Sequence, residues 1–156
     1  MARRRRAEKR AIKADTKFES TMVGRLITTV MKQGKRSIAE SIVYGAIELS
    51  NDKKDGNPLE TLQKAIDNAK PRLEVKSRRV GGATYQVPME VTPERQQSLA
   101  LRWMVTYASK RKGVAMKKAL ATEIKEAASG QGNAVKKRDD VHKMAQANRA
   151  FAHLRF

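Results

Sequence analysis

The chain has 156 residues, enough for one ordinary domain with its own core, and 40% of them are hydrophobic. Thirty-four Lys and Arg face sixteen Asp and Glu, a formal net charge of +18, and such self-repulsion is most simply relieved by a polyanionic partner. No apolar run reaches the roughly 18 residues of a membrane span. The N-terminal Arg run leads into Glu8, Lys9 and Arg10 rather than an apolar secretory segment. Zero cysteines exclude disulfides, thiolate metal sites and cysteine nucleophiles, which fits a cytoplasmic protein.

The elements follow in chain order. Residues 1–17 lack apolar periodicity and carry a net +6, which reads as a basic arm, disordered until bound. From Ser20, the residues Met22, Val23, Leu26, Ile27, Val30 and Met31 recur at helical spacing, with Gly34 placed to end the helix. Ser37 and Glu40 form a capping-box pattern before a second stripe of Ile38, Ile42, Val43, Ala46 and Leu49. A polar loop spans 51–57. Asn57 and Pro58 suit the N-cap and first residue of a third helix, carried by Leu59, Leu62, Ile66 and Ala69 and stopped by Pro71.

The period then changes to two. Residues 72–91 alternate on either side of Gly81-Gly82 and predict a β-hairpin, with Pro88 confined to an edge strand. Thr92-Pro93 restarts helix, with Leu99, Ala100, Trp103, Met104 and Tyr107 on its apolar face and Lys110, Arg111 and Lys112 in its last turn. Met116, Leu120, Ile124 and Ala127 mark a fifth helix, ended by Gly130. Asn133 is expected to cap a sixth, with Val141, Met144, Ala145, Asn148 and Phe151 on one side. The expected fold is mainly α: a six-helix body (18–156) with an inserted two-stranded β-hairpin arm and a basic disordered N-terminal extension (1–17).

Charge is segregated. Residues 102–118 hold six cations and no acid, whereas residues 38–69 have a net charge of −3. One face toward a polyanion and one away from it is the simplest arrangement. In the hairpin, Arg78 and Arg79 offer forked donors to phosphate oxygens. Gly81 and Gly82 allow close backbone approach. Tyr85 either packs at the ribbon base or stacks on an unpaired base.

Several long blocks, in one order and spacing, resemble the universal S-seven family of bacterial small-subunit ribosomal proteins. Beside the hairpin, they are Asp15-Thr16-Lys17-Phe18, residues 34–44, Leu99-Ala100-Leu101-Arg102-Trp103, and residues 134–145 continuing through 148–153. The resemblance covers almost the whole chain. Departures are Thr16 in place of Pro, Glu94 and Gln96 where basic residues are common, and Leu154 and Phe156 in place of Tyr and Trp.

The resemblance implies a structural protein, not an enzyme, that binds the 3′ major domain of small-subunit (16S) rRNA and nucleates assembly of the subunit head in the cytoplasm. Its ribbon would lie near the exit-site tRNA and the mRNA exit channel, with small-subunit proteins nine and eleven as neighbours. The rRNA-facing residues would be Arg3, Arg4, Arg5, Arg6, Lys9, Arg10, Lys35, Arg36, Lys76, Arg78, Arg79, Arg95, Arg102, Lys110, Arg111, Lys136, Lys137 and Arg138. The ribbon tip Val80, Gly81, Gly82 and Ala83 would face tRNA and mRNA. Phe151, Arg155 and Phe156 would touch protein. No cofactor, metal, membrane or small-molecule substrate is implied.

Two rival classes are weaker. An architectural DNA-bending ribbon usually carries an apolar wedge or proline at its tip, and here the tip is Gly-Gly. A phosphate-loop enzyme would need Gly where Thr29 stands and Ser or Thr where Arg36 stands. Asp139, Asp140 and His142 read as surface charges on one helix, since residues one and two apart do not share a face.

Overall fold

The computed structural model describes residues 11–51 and 57–154. The helices are α1 (Thr21–Val30), α2 (Arg36–Ser50), α3 (Pro58–Ala69), α4 (Pro93–Lys110), α5 (Met116–Ala128) and α6 (Asn133–Ala147). A ribbon of β1 (Leu73–Val80) and β2 (Ala83–Glu90) is inserted between α3 and α4, and a short 3-10 helix (Arg149–Leu154) follows α6. The expected mainly helical body with one hairpin is therefore what the chain builds. Among the described residues no helix is long and apolar enough to cross a membrane.

The core centres on α5, which packs against α2, α3, α4 and α6. Leu120 and Ile124 are fully buried, and Ala119, Ala121 and Ala127 are small enough to let neighbouring helices come close. Around it gather Leu26 and Ile27 of α1, Val43 and Ile47 of α2, Leu62 and Ile66 of α3, and Leu101 and Met104 of α4.

Local signals explain several boundaries. Asn57 accepts the Leu59 N–H at 3.0 Å and Pro58 opens α3, as the sequence predicts. The helix ends at Ala69, two residues before Pro71. Gly81 and Gly82 take φ of +56° and +90°, the pair of left-handed residues that a tight two-residue hairpin needs. A Cβ at either would meet nothing within 4 Å, so glycine serves the backbone angle there, not space.

Other expectations are corrected. α1 stops at Val30, and Gly34 at φ +73° belongs with Gln33 at φ +53° to the turn that follows. Because α2 begins at Arg36, Ser37 is already inside the helix and makes no capping bond. Glu40 instead accepts from Arg36 Nε at 2.7 Å, one turn away. The buried stripe of α2 is Ala39, Val43, Ala46, Ile47 and Ser50, at helical spacing, which leaves Ile38 57% and Leu49 45% exposed.

Asn133 does not cap α6. It is the first helical residue, and Gly132 at φ +91° precedes it. Glu123 of α5 does the capping: its Oε1 accepts the Ala134 N–H at 3.0 Å. A carboxylate there also complements the positive end of the helix dipole. Met144, expected on the apolar side, is 50% exposed.

Residues 11–17, the end of the expected arm, run across the body. Asp15 is only 2% exposed. Its Oδ2 accepts the N–H groups of Lys17 (3.1 Å) and Phe18 (2.8 Å), and its Oδ1 accepts the Tyr44 hydroxyl. Lys17 reaches Glu48 at 2.5 Å and lies over the rings of Phe18 and Tyr44. The chain passes so close to α1 at Gly24 that a Cβ there would sit 2.8 Å from the Lys13 carbonyl oxygen.

Candidate nucleic-acid interface

The cations expected to face RNA fall into two groups. Among the described residues, Lys35, Arg78, Arg79, Arg102, Lys110, Lys136 and Lys137 enter no ion pair. All but Arg78 and Lys137 are exposed, and those two are half-buried. Such charges are open to a polyanion. Lys110 also stands over the Tyr107 ring at 5.4 Å. Arg3, Arg4, Arg5, Arg6, Lys9 and Arg10 lie outside the described residues, as do Arg155 and Phe156.

The second group is paired within the protein, Arg111 and Arg138 half-buried and Arg36, Lys76 and Arg95 on the surface. Arg111 Nη2 donates to Glu123 at 2.8 Å and to Glu126 at 2.5 Å, and its Nε is buried without an acceptor. Hydrogen bonds to Glu126 and then Glu123 push its already high pKa further up. Arg138 donates to the Asn68 carbonyl and to Asp139 (Nε 2.8 Å, Nη2 2.6 Å), pinning α6 to the end of α3. Arg95 Nε reaches both oxygens of Glu74 at 3.0 and 2.8 Å, tying α4 to the ribbon. Lys76 lies 3.3 Å from the same carboxylate, and Arg36 pairs with Glu40 along α2. The resemblance implies an RNA-facing role for all five. Geometry gives each an intramolecular partner.

On the ribbon, the register pairs Arg78 with Tyr85 and Arg79 with Thr84. Facing residues of an antiparallel pair share one side of the sheet, so Arg78 and Arg79 point to opposite faces. The side of Arg78 also carries Lys76, Tyr85 and the fully buried Val87. The two arginines therefore cannot clamp one phosphate together. Each addresses its own side. The tip, Val80 to Ala83, is exposed throughout. Tyr85 packs on Phe151 of the 3-10 helix, ring centroids 5.3 Å apart, so both residues have an intramolecular partner.

Two surface grooves gather polar groups. One, about 530 Å³, runs between α1 and α4 and is lined by Ile12, Arg25, Thr28, Thr29, Glu94, Ser98, Leu101 and Arg102. Arg25 Nη1 donates to Gln97 at 2.6 Å, which sets its guanidinium across the groove. Arg25, Thr28, Thr29 and Ser98 were missed from the sequence. The signal was present: on each helix they sit opposite the apolar stripe, and Ser98 and Arg102 are one turn apart.

The other groove, about 470 Å³, brings Lys32 and Lys35, just before α2, together with Arg111 at the end of α4, over a floor including Val30, Ala39 and Met116. A smaller cleft joins Asp67, Lys70, Arg72, Arg138, Asp139 and His142. Its mixed charges suit internal pairing better than an anion. There His142 Nε2 accepts the Arg72 N–H at 2.9 Å. Burial and the nearby Arg138 push the His142 pKa down, which outweighs Asp139 and favours the neutral ring that can accept. Among the described residues no group of three or more His, Asp and Glu could hold a metal ion.

A helical body with open cations on α4, α6 and both ribbon faces is a surface for a large, irregular polyanion. The family model described as Ribosomal protein S7p/S5e matches residues 2–149. The "Small ribosomal subunit protein uS7" of Akkermansia muciniphila is 63% identical over 157 residues, covering all of both chains. The proteins of that name from Caulobacter sp. (strain K31) and Sorangium cellulosum are 54% and 53% identical, again over the full length of each. This chain belongs to the S7p/S5e family of ribosomal proteins.

Proposed function

We propose that this chain is a structural, non-catalytic protein of the small ribosomal subunit that binds the 3′ major domain of 16S rRNA and nucleates assembly of the subunit head. In that reading the ribbon tip lies toward the exit-site tRNA and the mRNA exit channel, and small-subunit proteins nine and eleven are neighbours. Family membership over residues 2–149 supports the class of function. The observation that carries the mechanism is the distribution of the seven open cations, which lie beside α2 and on the ribbon, α4 and α6.

Each open Lys or Arg neutralises a phosphate and releases counterions, which supplies affinity without sequence choice. Selectivity then comes from where those cations stand, because structured RNA is read largely by shape. The ion pairs of Arg95 and Arg111 and the hydrogen bond from Arg138 to the Asn68 carbonyl fix the elements that bear them. A body that holds several RNA segments at set distances can stabilise a multi-helix junction, which is what nucleating a domain requires.

The test is binding of the full-length protein to a 3′-major-domain rRNA fragment across a salt series, beside a scrambled RNA and a DNA duplex. The fragment should bind selectively and hold as salt rises. Removing Arg78 and Arg79 together should lower the slope of log affinity against log salt by about 1.5. Arg111→Gln should instead lower stability and leave that slope nearly unchanged. Equal weakening of all three ligands along one slope would sink the reading.

A further inference from the structure

The ribbon is two-stranded, and such a ribbon has little stiffness of its own. Its polar attachments to the body lie at the root. The Arg72 N–H is held by His142, and Glu74 is held by Arg95. Tyr85 is different. It is the third residue of β2, two cross-strand pairs from the turn, and roughly 17 Å along the strand from Glu90. Its ring meets Phe151 at 5.3 Å between centroids, tilted by 48°.

Phe151 is itself tied back to α6. Its N–H donates to the Asn148 carbonyl at 3.0 Å, and Asn148 donates to the Met144 carbonyl through both its N–H (3.2 Å) and its side-chain amide (2.8 Å). A contact this far out controls the angle of the ribbon more strongly than a root contact of equal strength, because it acts on a longer lever arm.

We propose that Phe151 is a positioning residue: by bracing Tyr85, the C-terminal 3-10 helix sets the pose of the ribbon and so decides where the tip and its arginines land on RNA. The functional half of this inference rests on the ribbon being an RNA-facing arm. Arg78 shares the face of Tyr85, opposite it in register, whereas Arg79 lies on the other face. Loss of the brace therefore disturbs the surroundings of Arg78 first.

The natural chain has no cysteine, so labels can be placed cleanly. Spin labels at Ala83→Cys on the tip and Thr122→Cys on α5 report the ribbon pose in the full-length protein. The braced protein should give one narrow distance distribution. Phe151→Ala should widen it about twofold, and Phe151→Tyr should keep it narrow. Leu120→Ala serves as the control for a merely structural loss: it should lower the unfolding midpoint without widening the distribution. An unchanged width in Phe151→Ala overturns the proposal.

A second arm reads the RNA. An iron chelate at Ala83→Cys should cleave a focused set of rRNA nucleotides in the complex. Phe151→Ala should scatter those cuts while affinity falls less than about threefold, since the body cations are intact. Cuts that stay focused in Phe151→Ala overturn the functional half. If the tip cuts no rRNA even with Phe151 in place, the RNA-facing reading of the ribbon fails, and the distance distributions still judge the brace.

Discussion

Removing the Asp15 carboxylate should detach the start of the folded chain from α2, and its cost can be worked from the contacts. Asp15 is buried and accepts three donors: the Lys17 and Phe18 amides and the Tyr44 hydroxyl. A hydrogen bond to a charged acceptor contributes about 1.5–3 kcal/mol. The Lys17 amide lies beside exposed residues and can turn to water, so two bonds carry most of the loss. Asp15→Ala should therefore lower stability by about 3 kcal/mol. Asp15→Asn keeps one acceptor oxygen for the amides and should cost about half of that.

The pH dependence gives a sharper signature. Burial alone pushes the Asp15 pKa up, but the Tyr44 hydroxyl and the amides of Phe18, Lys17 and Thr16 win and hold it below its ordinary 3.8. A depressed carboxylate stabilises fully above that ordinary value and loses its contribution as pH falls through the lower folded value. Tyr44 runs the other way. Its hydrogen bond to Asp15, then burial, push it up to about 12 from 10.0. Its contribution is complete below pH 10 and fades as pH rises toward 12. Urea unfolding of the parent, Asp15→Asn and Tyr44→Phe across roughly pH 3–11 measures both limbs. The gap between parent and Asp15→Asn should shrink as pH falls below about 4, and the gap to Tyr44→Phe should shrink above about pH 10. A constant gap on the acid side, or an Asp15→Ala loss below about 0.5 kcal/mol at neutral pH, would refute the clamp.

Four further outcomes are expected. Gly24→Ala must push the Lys13 carbonyl away and should cost about 1–3 kcal/mol by urea unfolding, with faster proteolysis of residues 11–15. Gly45→Ala meets only the flexible end of Lys117 and should be within about 0.5 kcal/mol of the parent, so equal losses at the two sites would contradict the packing. Glu123→Ala strips Arg111 of its buried partner and α6 of its cap, and a loss of about 3–5 kcal/mol is expected, against which a loss under about 1 kcal/mol would count. Finally, His142 is depressed below 6.5 and must be neutral to accept the Arg72 N–H, so that contact is complete above pH 6.5 and lost as pH falls through the folded value. Amide protection at Arg72 should drop only as pH falls below 6.5 in the parent, and not in His142→Ala.

What could be read from the sequence was whatever is decided locally. Asn57 caps the backbone two residues on through its side chain, Pro58, Pro71 and Gly81-Gly82 act through their own backbone, and each does what its residue type demands. Ser37-x-x-Glu40 has the right spelling for a cap but lies inside α2, because Arg36 has already begun the helix. The cap of α6 was invisible for a different reason. Glu123 lies on another helix, in a sequence where Glu123 and Glu126 look like solvent-facing charges. The cations divide on the same principle. Charge counting could not separate the open Lys110 from Arg111 next to it, since only tertiary packing brings a buried carboxylate to one and not the other.

That division has a pattern, and it accounts for how so basic a chain holds a defined shape. Acidic groups stand at the roots of the cation-bearing elements. Asp15 anchors the end of the N-terminal segment to α2, and Glu74 joins the root of β1 to Arg95 on α4. Glu123 ties Arg111 to the first turn of α6, and Asp139 steadies Arg138 against the end of α3. Farther out on the ribbon, and beside Arg138 on α6, Arg78, Arg79, Lys136 and Lys137 have no acidic partner among the described residues. An acid at a root stabilises position, whereas an acid near the open cations would cancel the charge that draws a polyanion. The net charge of +18 is thus compatible with a fixed geometry. Repulsion is relieved internally at the junctions between elements and left unrelieved on the surfaces those junctions hold in place.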